Sequence, residues 1–567
     1  MNRIIFPGFI FLLFIAASFT AAAQQSPDKY GGVFHTNLYD DLRSLYPPDI
    51  IDHPSLGIGL QVYEGLTRFD PATLNTMPCL AKSWETNDDG TEYTFHLRST
   101  VFFHDDSCFS KKKGKKFTAN DVKWCFDHLC QYDTRGQNTN FQLTFKDRVA
   151  GAAQYHDATQ TGKCPPEGVS GIQVINDSTV HIRLLHPDPS FVSVLSTPGC
   201  WIYPKEAYNT YAENLRVHAV GTGPFRLKKI TEGKNIILER NPNYWDYDED
   251  GKRLPYLSQV EYSFIFDKDS AFHKFQDGSL DMYPDIPVDL LATLLGSLDT
   301  PAGMKMELQA IPSLHVAYYG FQHQAAPFND VRVRRAFCMA IDRNKITDYI
   351  LQGDAEPVKG FVPPGIPGYT NSEFTFPYDP DSARRLMIEA GYPSGKNFPE
   401  INISINSGGA KSKNTDVAFA IQSMLKENLA VNLNVDIRPF AQHIQQISSG
   451  EALFWRSSWI PDYPDASAFL DIFYGKNVPG DPKMPSYANA MRYRSAAFDS
   501  LYDAGKQAAY AMTRNEFFRR AEEIMLNDAA LCPLYFETDL LLLQKRIRNF
   551  KLNPLRYPYL REVWISR

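Results

Sequence analysis

The sequence predicts a mixed α/β protein. Short stretches alternate apolar and polar residues with a period of two, helix-like segments carry recognisable start and stop signals, and the two kinds interleave along the whole chain. Tyr93, Phe95 and Leu97 alternate with polar residues and read as a half-buried strand. Thr118-Ala119-Asn120-Asp121 is a capping-box variant with Asp in place of Glu. It starts a helix whose apolar stripe is Val122, Cys125, Phe126 and Leu129. Asp379-Pro380 starts a second helix through Leu386 and Met387, which stops at Gly391. Ile401, Ile403 and Ile405 form one further strand pattern, and Val431, Leu433, Val435 and Ile437 another. An apolar run from Ala452 to Trp455 leads into a loop stiffened by Pro461 and Pro464, and a helix-like segment runs from Ala466 to Phe473. No internal repeat is present.

The chain has 567 residues and a net charge of -7, so it is long enough for several cores and lacks the basic face that nucleic acid requires. Its 13% aromatic content fits both large cores and an aromatic-lined cleft. Residues 1–23 read as a cleavable signal peptide: Arg3 is the positive start, Ile4 to Ile15 is apolar, and Ala21-Ala22-Ala23 precedes Gln24. No Cys lies beside that cleavage site, so no lipid anchor is expected and the periplasm is the expected compartment. None of the eight Cys forms a C-x-x-C pair, and their spacing does not read as a zinc site. Cys125, Cys338 and Cys532 sit in apolar stretches and read as core thiols. Cys108 precedes the basic run Lys111 to Lys116, itself read as a solvated insertion. A Cys108–Cys130 bridge would staple this insertion, with Cys164 the competing partner and free thiols the alternative.

The loop Trp459-Ile460-Pro461-Asp462-Tyr463-Pro464-Asp465 carries the most specific chemistry. A carboxylate held among aromatics on a stiff loop is suited to one cation. No G-x-S-x-G elbow and no H-E-x-x-H pair is present, so a secreted hydrolase is disfavoured; no metal and no cofactor is expected.

Several motifs occur in a characteristic order. They are Tyr63-Glu64-Gly65-Leu66, Leu80-Ala81-Lys82-Ser83-Trp84-Glu85, Phe117-Thr118-Ala119-Asn120-Asp121-Val122, Gly221-Thr222-Gly223-Pro224-Phe225, Glu239-Arg240-Asn241-Pro242-Asn243-Tyr244-Trp245, Phe328-Asn329-Asp330-Val331-Arg332 and Ala340-Ile341-Asp342-Arg343. Together with the Trp459–Leu470 stretch, this set resembles the family 5 extracellular solute-binding proteins, the dipeptide and oligopeptide group that serves ABC importers. The resemblance implies a periplasmic-binding-protein fold of the type II-like kind, with three lobes and a ligand cleft between two of them. Lobe I would comprise 24–62, 201–312 and 533–567, lobe II would be inserted at 63–200, and lobe III would span 313–532. The departures are the lengthened loop from Cys108 to Lys116 and a second extended loop from Thr159 to Gly168.

The implied activity is capture of short peptides and delivery to a membrane ABC permease, by a monomer with no nucleic-acid partner. Oligosaccharide, nickel chelate and haem are the alternative ligands. By residue match, Asp462 takes the peptide ammonium, and Arg456 reaches towards a short peptide's carboxylate. Backbone pairing is expected along Leu42-Arg43-Ser44 and Arg456-Ser457-Ser458-Trp459, each of which reads equally as core strand. Lys411 and Lys413 are candidates for the carboxylate end or a solvated loop. Trp459 and Tyr463 are candidates for side-chain pockets or core. His35, His323 and Tyr319 are weaker cleft candidates, and the alternative role for Asp462 is to cap the helix at Ala466.

Overall fold

The computed structural model describes residues 29–39, 42–133, 139–284, 286, 305–370, 372–373, 376–406, 413–461 and 463–566. The stretch read as a signal peptide, residues 1–23, therefore lies outside the described residues. No described helix is long and apolar enough to cross a membrane.

The chain opens with β1 (Val33–Leu38) and a helix, His53–Val62, whose N-terminus is capped by Asp52. A short hairpin follows, β2 (Thr67–Phe69) with β3 (Thr76–Pro78). Next, β4 (Ala81–Thr86), β5 (Glu92–Leu97), β6 (Ile172–Asn176) and β7 (Thr179–Arg183) form an antiparallel sheet in the order β4-β5-β7-β6. The helix Ala119–Cys130 packs on it through buried Val122, Cys125, Phe126 and Leu129, the stripe expected from sequence. Its capping box is complete, with the Thr118 N–H donating to Asp121 at 2.9 Å. Then β8 (Phe225–Thr231), β9 (Asn235–Arg240) and β10 (Gln259–Phe264) join β1 in the order β1-β10-β9-β8, with β1 parallel to β10.

One carboxylate gathers the segments that flank β8 and β9. Glu64 is buried and accepts from Thr222 Oγ1 at 2.8 Å, Tyr244 Oη at 2.7 Å and Trp245 Nε1 at 2.9 Å. Three sequence motifs far apart in the chain thus meet at one side chain. Burial pushes the Glu64 carboxyl up, against the lowering effect of those three donors. Gly221 is required here, because a Cβ would stand 2.0 Å from the Val62 carbonyl oxygen.

The third sheet has seven strands: β11 (Met282–Pro284), β12 (Met306–Phe321), β13 (Ala355–Pro357), β14 (Asn402–Asn406), β15 (Asn434–Arg438), β16 (Phe454–Trp459) and β17 (Leu531–Gln544). Its order is β11-β17-β12-β16-β14-β15, with β13 also on β17. The two long strands, β12 and β17, pair antiparallel over nearly their whole length; Val316, Tyr318 and Phe536 lie in the main core, and the strands also reach two smaller ones. Met306 and Leu542 lie with Phe272, Phe275 and Tyr283; Tyr319, Phe321, Cys532 and Leu534 lie with Phe328, Phe337 and Phe454. The lobe breaks expected at 312/313 and 532/533 fall inside these continuous strands. The ladder itself is interrupted between Pro312 and Val316. Val431 and Leu433 are buried but precede β15, which starts at Asn434.

Two buried arginines fasten β17 to the helices beside it. Arg334, from the Phe328 motif, donates to the carbonyls of Phe328, Asp528 and Ala529 at 2.7 to 3.1 Å. Arg343 donates to the Pro533 carbonyl at 2.7 Å. These motif residues satisfy backbone acceptors at the start of a central strand, where an orphan carbonyl costs about 1–3 kcal/mol.

The basic insertion is more anchored than a solvated loop. Lys111 and Lys112 are exposed, but Lys115 pairs with Asp121 at 2.7 Å and Glu206 at 2.9 Å. The Gly114 N–H donates to Asp105 at 3.0 Å, and a Cβ at Gly114 would collide with the Phe103 carbonyl oxygen at 1.7 Å. The expected Cys108–Cys130 bridge is not formed; both are free thiols. Cys108 stands with Asp106 near the N-terminal end of the Ala119–Cys130 helix, while Cys130 is buried at its C-terminal end. Cys108 is tied into the turn closed by Asp106 and Cys130 is fully buried in the core, so the two thiols are held apart from bonding. In the native protein, iodoacetamide is expected to label exposed Cys164 and to leave buried Cys125, Cys130, Cys338 and Cys532 unlabelled until denaturant is added. Recovery of a Cys108–Cys130 linked peptide without reductant would reverse this assignment.

Candidate functional site

Strand β16 sits between β12 and β14, but its two edges differ. Along β12 it pairs from Phe321↔Phe454 to Val316↔Trp459. Along β14 it pairs only at Ile403↔Phe454 and Ser404↔Trp455. Beyond Trp455, no described strand covers this second edge. The His443 Nε2–H donates to the Arg456 carbonyl at 2.9 Å. Burial holds His443 below the usual histidine range, so it serves here as a neutral donor. The segment expected to pair with a ligand backbone, Arg456 to Trp459, thus has an edge open to another strand.

Register determines which side chains share this place. Tyr319 opposes Arg456, and Ala317 opposes both Ser458 on β16 and Tyr535 on β17. Opposed residues share a face, so Phe454, Arg456 and Ser458 lie on the face of Tyr319 and Tyr535. That face begins as core, with Phe454 and Tyr319 fully buried, and turns polar towards the middle of the long strands. Arg456 is half-buried and donates to Asn406 Oδ1 at 3.4 Å. The buried Tyr319 hydroxyl has no hydrogen-bond partner among the described residues. Burial pushes Tyr535 up to about 12 despite the nearby Arg456 guanidinium. Two residues further along β17, Glu537 pairs with His315 Nδ1 at 2.6 Å. Burial alone would raise Glu537, but His315, with Arg456 and Arg556 adding to it, holds it below the usual carboxylate range.

The loop after β16 is fixed at several points. Trp459 Nε1 donates to the Ala468 carbonyl at 2.7 Å. Tyr463 is buried, and its hydroxyl accepts from Arg148 Nη2 at 2.9 Å; Arg148 in turn pairs with Asp188 at 2.9 Å. Asp465 caps the helix Ala466–Leu470, accepting from the Ser467 N–H at 2.8 Å, and receives both Arg514 Nη groups at 2.5 and 2.8 Å. Burial would raise Asp465, and Arg514 overrides it.

The sequence-based candidates separate accordingly. Arg456 and Ser458 come together with Tyr319 on one face. Trp459 is half-buried, and its indole N–H is occupied within the loop. Tyr463 belongs to the packed core rather than a pocket wall. Ser44 is a correction: residues 42–44 are not a strand, and the buried Ser44 hydroxyl accepts from the Tyr46 N–H at 3.1 Å, closing a turn. Of the weaker candidates, His323 donates to the Ala530 carbonyl at 2.8 Å and His35 lies 3.8 Å from Glu261. Lys413 precedes the helix Asn414–Leu429 and stands 3.6 Å from Asp416. Asp462 and Lys411 lie outside the described residues. The helix-capping alternative for Asp462 is filled by Asp465. His315 and Glu537 were missed, because a histidine and a glutamate 222 positions apart carry no local signal; only strand register joins them.

A family model for bacterial extracellular solute-binding proteins, family 5, matches residues 75–481. The chain belongs to this family. Among curated relatives of this family 5 protein, the periplasmic oligopeptide-binding protein OppA of Salmonella typhimurium is 27% identical over 580 residues, covering 100% of this chain and 99% of its own. Heme-binding protein A of Haemophilus influenzae is also 27% identical, over 506 residues, covering 88% of this chain and 85% of its own. Among solved structures, the ABC transporter-associated periplasmic binding protein DppA of Helicobacter pylori, in complex with the peptide STSA, superposes with a TM-score of 0.74 at 22% identity. It covers 95% of this chain and 99% of its own. The fold is thus of the type II-like periplasmic-binding-protein kind, as the motifs implied.

Proposed function

We propose that this protein captures short peptides in the periplasm and hands them to a membrane ABC permease. The observation that carries this reading is the open edge of β16 from Arg456 to Trp459, on a strand whose side chains turn polar at that point. A peptide lying along that edge finds main-chain partners whatever its side chains are. Asp462, three residues beyond Trp459, takes the ammonium, and Arg456 takes the carboxylate side. Relatives named for oligopeptides, and a structural neighbour holding a peptide, support the choice of ligand. The relative named for haem makes haem the second ligand to test.

Calorimetric titration with trialanine and with haemin separates the two, since the peptide reading requires saturable binding of trialanine. Small-angle scattering on the same samples is expected to show a smaller radius of gyration with peptide, as the lobes close on it. Saturable haemin binding with no response to any short peptide would overturn the reading.

A further inference from the structure

His315 lies in the wider of two irregularities in the long β12–β17 ladder, the one between Pro312 and Val316. Pro312 opposes Thr538 and Val316 opposes Phe536, so Glu537 stands opposite the gap that holds His315. The Ser313 hydroxyl accepts from the His315 N–H at 3.1 Å and shapes the local turn. The ring is fixed by Glu537 on Nδ1 at 2.6 Å. Its other nitrogen, Nε2, is buried without a hydrogen-bond partner among the described residues. A carboxylate on one imidazole nitrogen orients the ring and leaves the other available to a partner.

The surroundings indicate what that partner is. From β16, Arg456 acts on Glu537, and from the C-terminal segment so does Arg556, which is itself paired with Asp539 on β17. On β13, Ala355 opposes Glu537 and Glu356 opposes Phe536, with Asp354 just before them. Tyr535 completes the β17 side. The described acids here that have named partners are Glu537, held by His315, and Asp539, held by Arg556. An incoming anion would therefore meet Arg456 and the free side of His315.

We propose that His315 is a ligand-contacting residue that donates from Nε2 to a carboxylate of the bound peptide, while Glu537 holds the opposite nitrogen. This rests on the peptide reading above. The carboxylate is either the peptide's C-terminus or an acidic side chain. In both cases the ring must carry two protons, one for Glu537 and one for the ligand. A ring with a single proton can serve only one of the two carboxylates, so affinity is expected to fall as pH rises.

The test is calorimetry between about pH 5.5 and about pH 8. The wild type is expected to bind trialanine about tenfold more weakly at the upper pH, the loss of one charge-assisted hydrogen bond. His315→Gln donates at every pH and is expected to give a flat profile. Any titration of the peptide's own amine is common to both proteins and cancels in the comparison. Glu537→Gln removes the carboxylate that orients the ring and is expected to weaken trialanine binding at the lower pH. The C-terminal amide of trialanine is expected to bind without the pH dependence if the C-terminus is the carboxylate read. Ala-Glu-Ala amide restores it if an acidic side chain is read instead. Superimposable profiles for wild type, His315→Gln and Glu537→Gln with trialanine would overturn the proposal. Failure of the wild type to bind any of these peptides at any pH would instead overturn the peptide reading itself.

Discussion

Asp462→Ala is expected to weaken peptide binding by about a hundredfold or more. Removing one partner of a buried, hydrogen-bonded charge pair costs on the order of 3–5 kcal/mol, and about 1.4 kcal/mol is a factor of ten in affinity. The helix after the loop takes its cap from Asp465, and the loop is held by Trp459, Tyr463 and Arg514. None of those contacts needs the Asp462 carboxylate. The variant should therefore unfold at the same urea concentration as the wild type while its calorimetric affinity collapses. An N-acetylated peptide, which has no ammonium, should bind the wild type as poorly. Unchanged affinity for the variant, or equal affinity for the blocked peptide, would remove Asp462 from the site.

Arg514→Ala has the largest expected effect on stability. Both partners are nearly excluded from water, with the Arg514 side chain 5% and the Asp465 side chain 14% exposed. Deleting the guanidinium leaves a buried carboxylate with only Ser467 as partner, a loss of about 3–5 kcal/mol. Urea unfolding followed by tryptophan fluorescence measures it. The pH dependence has a definite sign. Asp465 has a depressed folded pKa, so its stabilisation is present above the unfolded carboxylate value of about 3.9 and is lost as pH falls through the folded value. The variant should lose that part of the acid limb of the stability curve. A variant with wild-type midpoint at neutral pH would mean that the pair contributes nothing net.

Local signals in the sequence located elements well. The Thr118–Asp121 box, the Asp379 cap with Pro380 behind it, and the Cys125 stripe all appear where their spacing placed them. These are interactions between residues three or four apart, which is the range a single sequence can encode visibly. Failures came where the deciding contact is distant. Ser44 looks like a strand residue, yet its hydroxyl is used two residues on, and its N–H is fixed by Ser55. Tyr463 reads equally as a pocket aromatic or core, and only Arg148, 315 positions away, decides for core by donating to its hydroxyl. The basic run looks like a solvated face, yet Lys115 finds Glu206 from across the fold. The polar end of the β16 face was half visible: Arg456 and Ser458 could be named, but not the His315–Glu537 pair beside them, because that pair exists only through the register of two strands more than 200 residues apart.

The last residues of the chain pack against β1 and the helix that follows it. Phe550 stacks on Phe34, the Gln61 amide donates to the Pro558 carbonyl at 2.7 Å, Arg561 shares Asp246 with Arg68, and Ile565 packs over Gly32. These contacts to β1 and the helix after it can form only once the final residues of the chain are available. Loop closure over some 500 residues must precede these contacts, which slows the approach to the native state.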